Sequence, residues 1–236
     1  MEKFTTKNVY PEIAPEPKIS INELTKFVKA SDAKKLSIVK GQKYPPIVPT
    51  SYYRPVVLAL SKFIKSDFDT DIVLDAIEKL QGKVVDPKKK QATTKKANQI
   101  AALRQFLKME FPETFQSIKC SFSSPKVKAC KLSDVNVVVA PEIIIRREVA
   151  GVKYIGAIKF DIHKDELDFS IGRQRASLIE YFLNNFKNDD ERVDKKYCLC
   201  VDVMHGNIYR PTHNIMEDML ILEEACGEVY KLWKIA

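Results

Sequence analysis

The second half of the chain switches between two hydrophobic periods. Residues 135 to 149, VNVVVAPEIIIRREV, and 152 to 162, VKYIGAIKFDI, are rich in β-branched residues and read as strands, with Ala150-Gly151 as a two-residue turn between them. Either SIKCSFS or KVKACKL supplies a strand before them. GRQRASLIEYFLNNF then takes helical spacing, with Ile171, Leu178, Tyr181, Phe182 and Phe186 among its apolar positions. KKYCLCVDVMH returns to strand, GNIYRP reads as its hairpin partner across His205-Gly206, and NIMEDMLILEEACGEVYKLWK closes the chain as an amphipathic helix.

The first half is helical. A proline-dotted arm, residues 1–19, precedes SINELTKFVKA, where Ser20 and Glu23 have the spacing of a capping box. RPVVLALSKFIKS and DTDIVLDAIEKLQG both show helical spacing; in the second, Ile72, Ala76 and Leu80 line one face, Asp69 or Thr70 caps the start and Gly82 ends it. TKKANQIAALRQFLKMEF repeats apolar residues at Ile100, Leu103, Leu107 and Phe111. The pattern divides the chain into the arm, a helical subdomain with a lysine-rich loop over 20–94, and an α/β region over 95–236 that runs helix, three strands, helix, strand, strand, helix.

A two-residue turn at Ala150-Gly151 fixes the hairpin register, so that Glu148 faces Lys153 and Glu142 faces Lys159. Ala157, Lys159 and Asp161 then share the face of Glu142, while Ile143, Ile145, Ile158, Phe160 and Ile162 point the other way into a core. A longer turn or a bulge near Gly151 would shift the pairing by one residue and part Glu142 from Lys159.

Charge adds a second region of interest. The 236 residues carry 39 Lys and Arg against 31 Asp and Glu, a net +8 that suits a polyanionic partner without requiring one. In KVVDPKKKQATTKK, residues 83–96, six lysines meet one acid, Asp86, and Pro87 with two threonines argues against a continuous helix. The stretch reads either as a solvated linker or as a loop whose Lys88, Lys89, Lys90, Lys95 and Lys96 contact phosphate. No apolar run has the length of a membrane span or a secretory signal, and five cysteines without a C-x-x-C pair suit reduced thiols, so a cytoplasmic protein with no membrane partner is expected. His163, His205 and His213 lack zinc-hydrolase spacing, and no Walker loop or G-x-S-x-G is present.

From Ala97 to about His205, with P-E (Pro141-Glu142) on one strand and I-K (Ile158-Lys159) on the next, the chain resembles the PD-(D/E)XK nuclease superfamily, particularly its RecB-like branch. The resemblance implies a mixed central sheet flanked by helices. It also implies a Mg²⁺ or Mn²⁺ cofactor bound by Glu142, with Lys159 stabilising charge or orienting water during phosphodiester hydrolysis. Ala157 stands where that family carries its second acid, and Asp161 or Glu110 is the substitute metal ligand. The RecB-like Q-x-x-x-Y is degraded: Gln174 is followed by Leu178, with Tyr181 seven residues on, and Arg173 and Arg175 are candidate phosphate contacts beside them.

Three functions follow: a metal-dependent nuclease of DNA or RNA, with restriction, repair, mobile-element or phage-defence settings by analogy; a catalytically inactive binding module of nucleic acid or protein within a larger complex; or a structural partner protein whose positive charge is merely solvation. The stripe Ile215, Met219, Leu222, Cys226, Val229 and Trp233 reads as core, with a partner or homodimer surface as the alternative if Trp233 is exposed.

Overall fold

In a computed structural model the described residues are 14–45, 52–86, 88, 90–111 and 120–236. Lys89 lies outside them. They form an α/β protein with seven helices and two sheets. The helices are α1 (Ile21–Val28), α2 (Asp32–Lys43), α3 (Arg54–Lys65), α4 (Asp71–Gly82), α5 (Lys90–Phe106), α6 (Phe169–Phe186) and α7 (Met216–Ile235). The strands are β1 (Lys18–Ser20), β2 (Cys120–Ser123), β3 (Ala129–Leu132), β4 (Val135–Val138), β5 (Ile143–Val149), β6 (Val152–Asp161), β7 (Glu191–Asp202) and β8 (Asn207–Tyr209). Among the described residues no helix is long and apolar enough to cross a membrane.

The main sheet has the order β2-β5-β6-β7-β8, antiparallel except for the parallel β6-β7 pair, which α6 connects. The expected hairpin register holds: Val149 pairs Val152, Glu148 pairs Lys153 and Ile143 pairs Ile158. Ala150 (φ 49°) and Gly151 (φ 78°) both take positive φ, the requirement of a type I′ turn. Further along, β6 shifts register against β7 between Ile155 and Ala157. Gly156 sits at that shift because a Cβ there would lie 2.5 Å from the Cβ of Tyr197.

Residues 135–149 do not form one strand. Ala140 takes φ 40° and Pro141 has no N–H to give a ladder, so the run breaks there. β4 joins a small sheet of order β1-β4-β3, while β5 enters the main sheet. Both SIKCSFS and KVKACKL contribute strands, one to each sheet. β1, read as part of the arm, runs parallel to β4.

Both faces of the main sheet are covered. On one, Ile144, Ile155, Ala157 and Cys198 pack with α6 (Leu178, Phe182), with α1 (Leu24, Phe27) and with α7 (Leu222, Trp233). On the other, Ile143, Ile145, Ile158 and Phe160 pack with α3 (Leu60, Ile64), α4 (Val73, Ile77) and α5 (Leu103, Phe106). The helices of residues 20–94 therefore divide between the two faces and share the sheet's cores. Trp233 is 6% exposed, so it is core material and not an anchor for a partner.

Helix detail follows local chemistry. The Glu23 N–H donates to the Ser20 hydroxyl, as a capping box requires, but the Ser20 N–H donates to Gln42 while the Glu23 side chain bonds Lys26. In α4 the buried stripe is Val73, Ile77 and Leu80, one residue on from the expected Ile72 and Ala76. α5 starts at Lys90, so Lys90, Lys95 and Lys96 stand on a helix and not in a loop. It ends at Phe106, where N–H groups of Lys108 and Met109 close three-residue turns and Phe111 packs against Phe106.

Candidate functional site

The face of the sheet that carries Glu142, Lys159 and Asp161 is not a solvated one, because α6 lies over it. Glu142 ends the Ala140-Pro141 break, and its N–H donates to the Ile158 carbonyl, which sets its side chain beside Lys159. One carboxylate oxygen accepts from the Phe160 N–H at 2.8 Å, and the other lies 3.5 Å from the Lys159 ammonium. Lys159, 8% exposed, also donates to the Ala140 carbonyl at 3.1 Å. Hydrogen bonds therefore fix both members of the pair.

Burial pushes the Glu142 carboxyl above its ordinary value, and Lys159 and the Phe160 N–H oppose the shift. The native state thus holds this proton more tightly than the unfolded chain does. The group favours folding below its unfolded pKa near 4.5, and that contribution is lost as pH rises towards the raised native value. NMR titration of the Glu142 carboxyl should give a midpoint above 4.5 that rises further in Lys159→Met, where the opposing cation is gone. A midpoint at or below 4.5 in the native protein would contradict this account.

Asp161 and Arg175 form a second pair at 2.8 Å, 2% and 1% exposed respectively. The ion pair falls outside hydrogen-bond angles, so both Asp161 oxygens are buried without a hydrogen bond. Arg175 reaches from α6 across to α1, donating to the Thr25 hydroxyl at 3.0 Å. Burial removes Arg175 from any surface polyanion, contrary to its expected role as a phosphate contact. Its neighbours on α6 are also engaged or enclosed. Arg173 donates to Asp218 on α7 at 2.9 Å, and Gln174 is buried with its carbonyl oxygen unpartnered. Tyr181 points to β3, with its hydroxyl 3.4 Å from the Lys131 carbonyl. These four side chains do not form one nucleic-acid surface.

A resident divalent cation needs several oxygen donors with positions left open for water or substrate. Glu142 offers one carboxylate already occupied by an N–H and an ammonium. Asp161 is sealed beneath Arg175, Ala157 presents a methyl group at 0% exposure, and Glu110 is exposed beyond the end of α5 instead of facing inward along it. Among the described residues no three His, Cys, Asp or Glu side chains converge. These residues do not fit Mg²⁺ or Mn²⁺.

A second place carries charge without acids. Between α3, the segment after α4, and the first turns of α5 lies a cleft of about 420 Å³ rimmed by Arg54, Lys83, Lys95 and Lys96, and among the described residues no acidic side chain lines it. Ala92, Lys95, Lys96 and Gln99 line its α5 wall, an i, i+3, i+4, i+7 face. Lys96 is held in place by the carbonyls of Gln81 and Lys83, at 2.7 and 2.9 Å, and the Lys95 ammonium lies 5.3 Å from the Tyr52 ring centroid. Lys88 and Lys90 are exposed just before or at the start of α5.

Arg54 is the cleft residue that the lysine-run reading missed. It lies about 30 positions upstream and is brought in only by the packing of α3 on α5. Comparison with protein-family models and with curated proteins finds no match for this chain.

Proposed function

We propose that this protein binds nucleic acid without hydrolysing it, using the α/β sheet as a scaffold and the α3–α5 cleft as the contact surface. The observation that carries the reading is the cleft itself, four cations with no carboxylate among its described lining residues. Phosphates supply the complementary charge, and the counterions they release make such binding depend steeply on salt. The resemblance to PD-(D/E)XK proteins supports a nucleic-acid partner, while the absence of an acid at Ala157 and the enclosure of Asp161 oppose a metal-dependent reaction.

Fluorescence anisotropy with a labelled oligonucleotide at increasing salt tests this. Affinity should fall steeply with salt, and the double variant Arg54→Glu, Lys95→Glu should bind at least about tenfold more weakly with a shallower slope. The oligonucleotide should stay intact with added Mg²⁺ or Mn²⁺. No binding, or binding unchanged in the double variant, would overturn the reading. Cleavage lost in Glu142→Ala and Lys159→Ala would replace it with the hydrolase.

A further inference from the structure

We infer that the α3–α5 cleft takes a single strand, with a base seated on its apolar floor and the flanking phosphates on its cationic rim; this rests on the nucleic-acid reading above. The lining supplies both halves of such a site. Pro55 and Leu58 of α3 contribute apolar surface between Arg54, Lys83, Lys95 and Lys96.

Leu58 is 60% exposed although it belongs to a helix whose other face, at Val56, Leu60, Phe63 and Ile64, is fully committed to the core. Cations alone would suit any polyanion. The apolar floor narrows the choice, because a duplex stacks its base faces inside and presents phosphates outside, whereas a single strand can lay a base face on an apolar surface while its backbone follows the charge.

The cleft's size fits one such unit. At about 420 Å³ it falls at the small end of ligand pockets, which span roughly 300–1,000 Å³. The rim is also held in place before any ligand arrives. The Gln81 and Lys83 carbonyls fix the Lys96 ammonium, and the ring of Tyr52 lies beneath that of Lys95. The two phosphates that flank a seated base predict a slope of log affinity against log salt of about −1.4, since each contributes roughly −0.7. That slope amounts to a loss of about sevenfold between 50 and 200 mM salt.

The test compares a single-stranded 12-mer, its hairpin duplex, and heparin as a polyanion without bases, using the full chain and Leu58→Asn. Circular dichroism checks that the variant keeps its fold, as expected for a side chain so exposed. The single strand should bind at least tenfold more tightly than the duplex. Leu58→Asn should lower single-strand affinity about tenfold with the salt slope unchanged, and should leave heparin binding unaltered. Leu58→Trp should tighten single-strand binding and report it through quenching of the new indole.

Equal binding of single strand and duplex, or equal sensitivity of heparin to Leu58→Asn, would overturn the single-strand inference and leave the nucleic-acid reading standing. Absence of binding to any nucleic acid would overturn both.

Discussion

Asp161→Ala is expected to lower the unfolding free energy by about 3–5 kcal/mol, and Arg175→Met by a similar amount, because each leaves a buried charge without its counter-ion. In the first variant the Arg175 guanidinium keeps only the Thr25 hydroxyl at 3.0 Å and the Asn22 carbonyl at 3.5 Å. In the second, Asp161 is left with neither cation nor hydrogen bond.

The double variant Asp161→Leu, Arg175→Met should recover much of the loss, since an apolar replacement of a buried pair is often close to neutral. Denaturant unfolding of the four proteins measures this. A loss under about 1 kcal/mol for either single variant would mean that the pair is solvated and free for another role.

Ala157→Asp, the change that restores the acid of the PD-(D/E)XK pattern, is expected to destabilise the fold by about 4 kcal/mol and to create no metal-dependent nuclease. Ala157 is fully buried, with Ile144 and Cys198 as its strand partners and Leu178 and Ile179 in the same cluster. A carboxylate there enters an apolar layer beneath α6, and the nearest acids are already engaged. For a chain of this size the melting temperature should fall by about 10 °C. A variant that melts as the parent does, and melts higher when Mg²⁺ is added, would show that a metal site forms after all.

The hairpin was legible because its information is local. Gly151 marks the turn, alternation marks the faces, and opposite charges at Glu148 and Lys153 agree with the register. The two sheets were not legible in the same way. A run as apolar as VNVVVAPEIIIRREV reads as one strand until the backbone at Ala140-Pro141 is known to turn out of the ladder.

The candidate site failed to read out for a different reason. Asp161 and Lys159 alternate correctly for one face, but whether that face meets water or a helix is decided by where α6 lands. Arg175 looks like a surface arginine in sequence, and only Thr25 and Asp161, 150 and 14 positions away, make it an interior one. The lysine run was visible as charge and mistaken in form, since Ala92, Lys95, Lys96 and Gln99 already had the spacing of a helix face.

The outer strands of the main sheet are only four and three residues long, β2 at one margin and β8 at the other. Where β7 outruns β8 it carries Arg192, Asp194, Lys195 and Lys196. Short or charged margins make poor templates for an incoming chain, so among the described residues the margins of the main sheet are ill suited to strand addition. Contact residues carried by helices, such as those of the α3–α5 cleft, can be altered without disturbing the ladder that holds the molecule together.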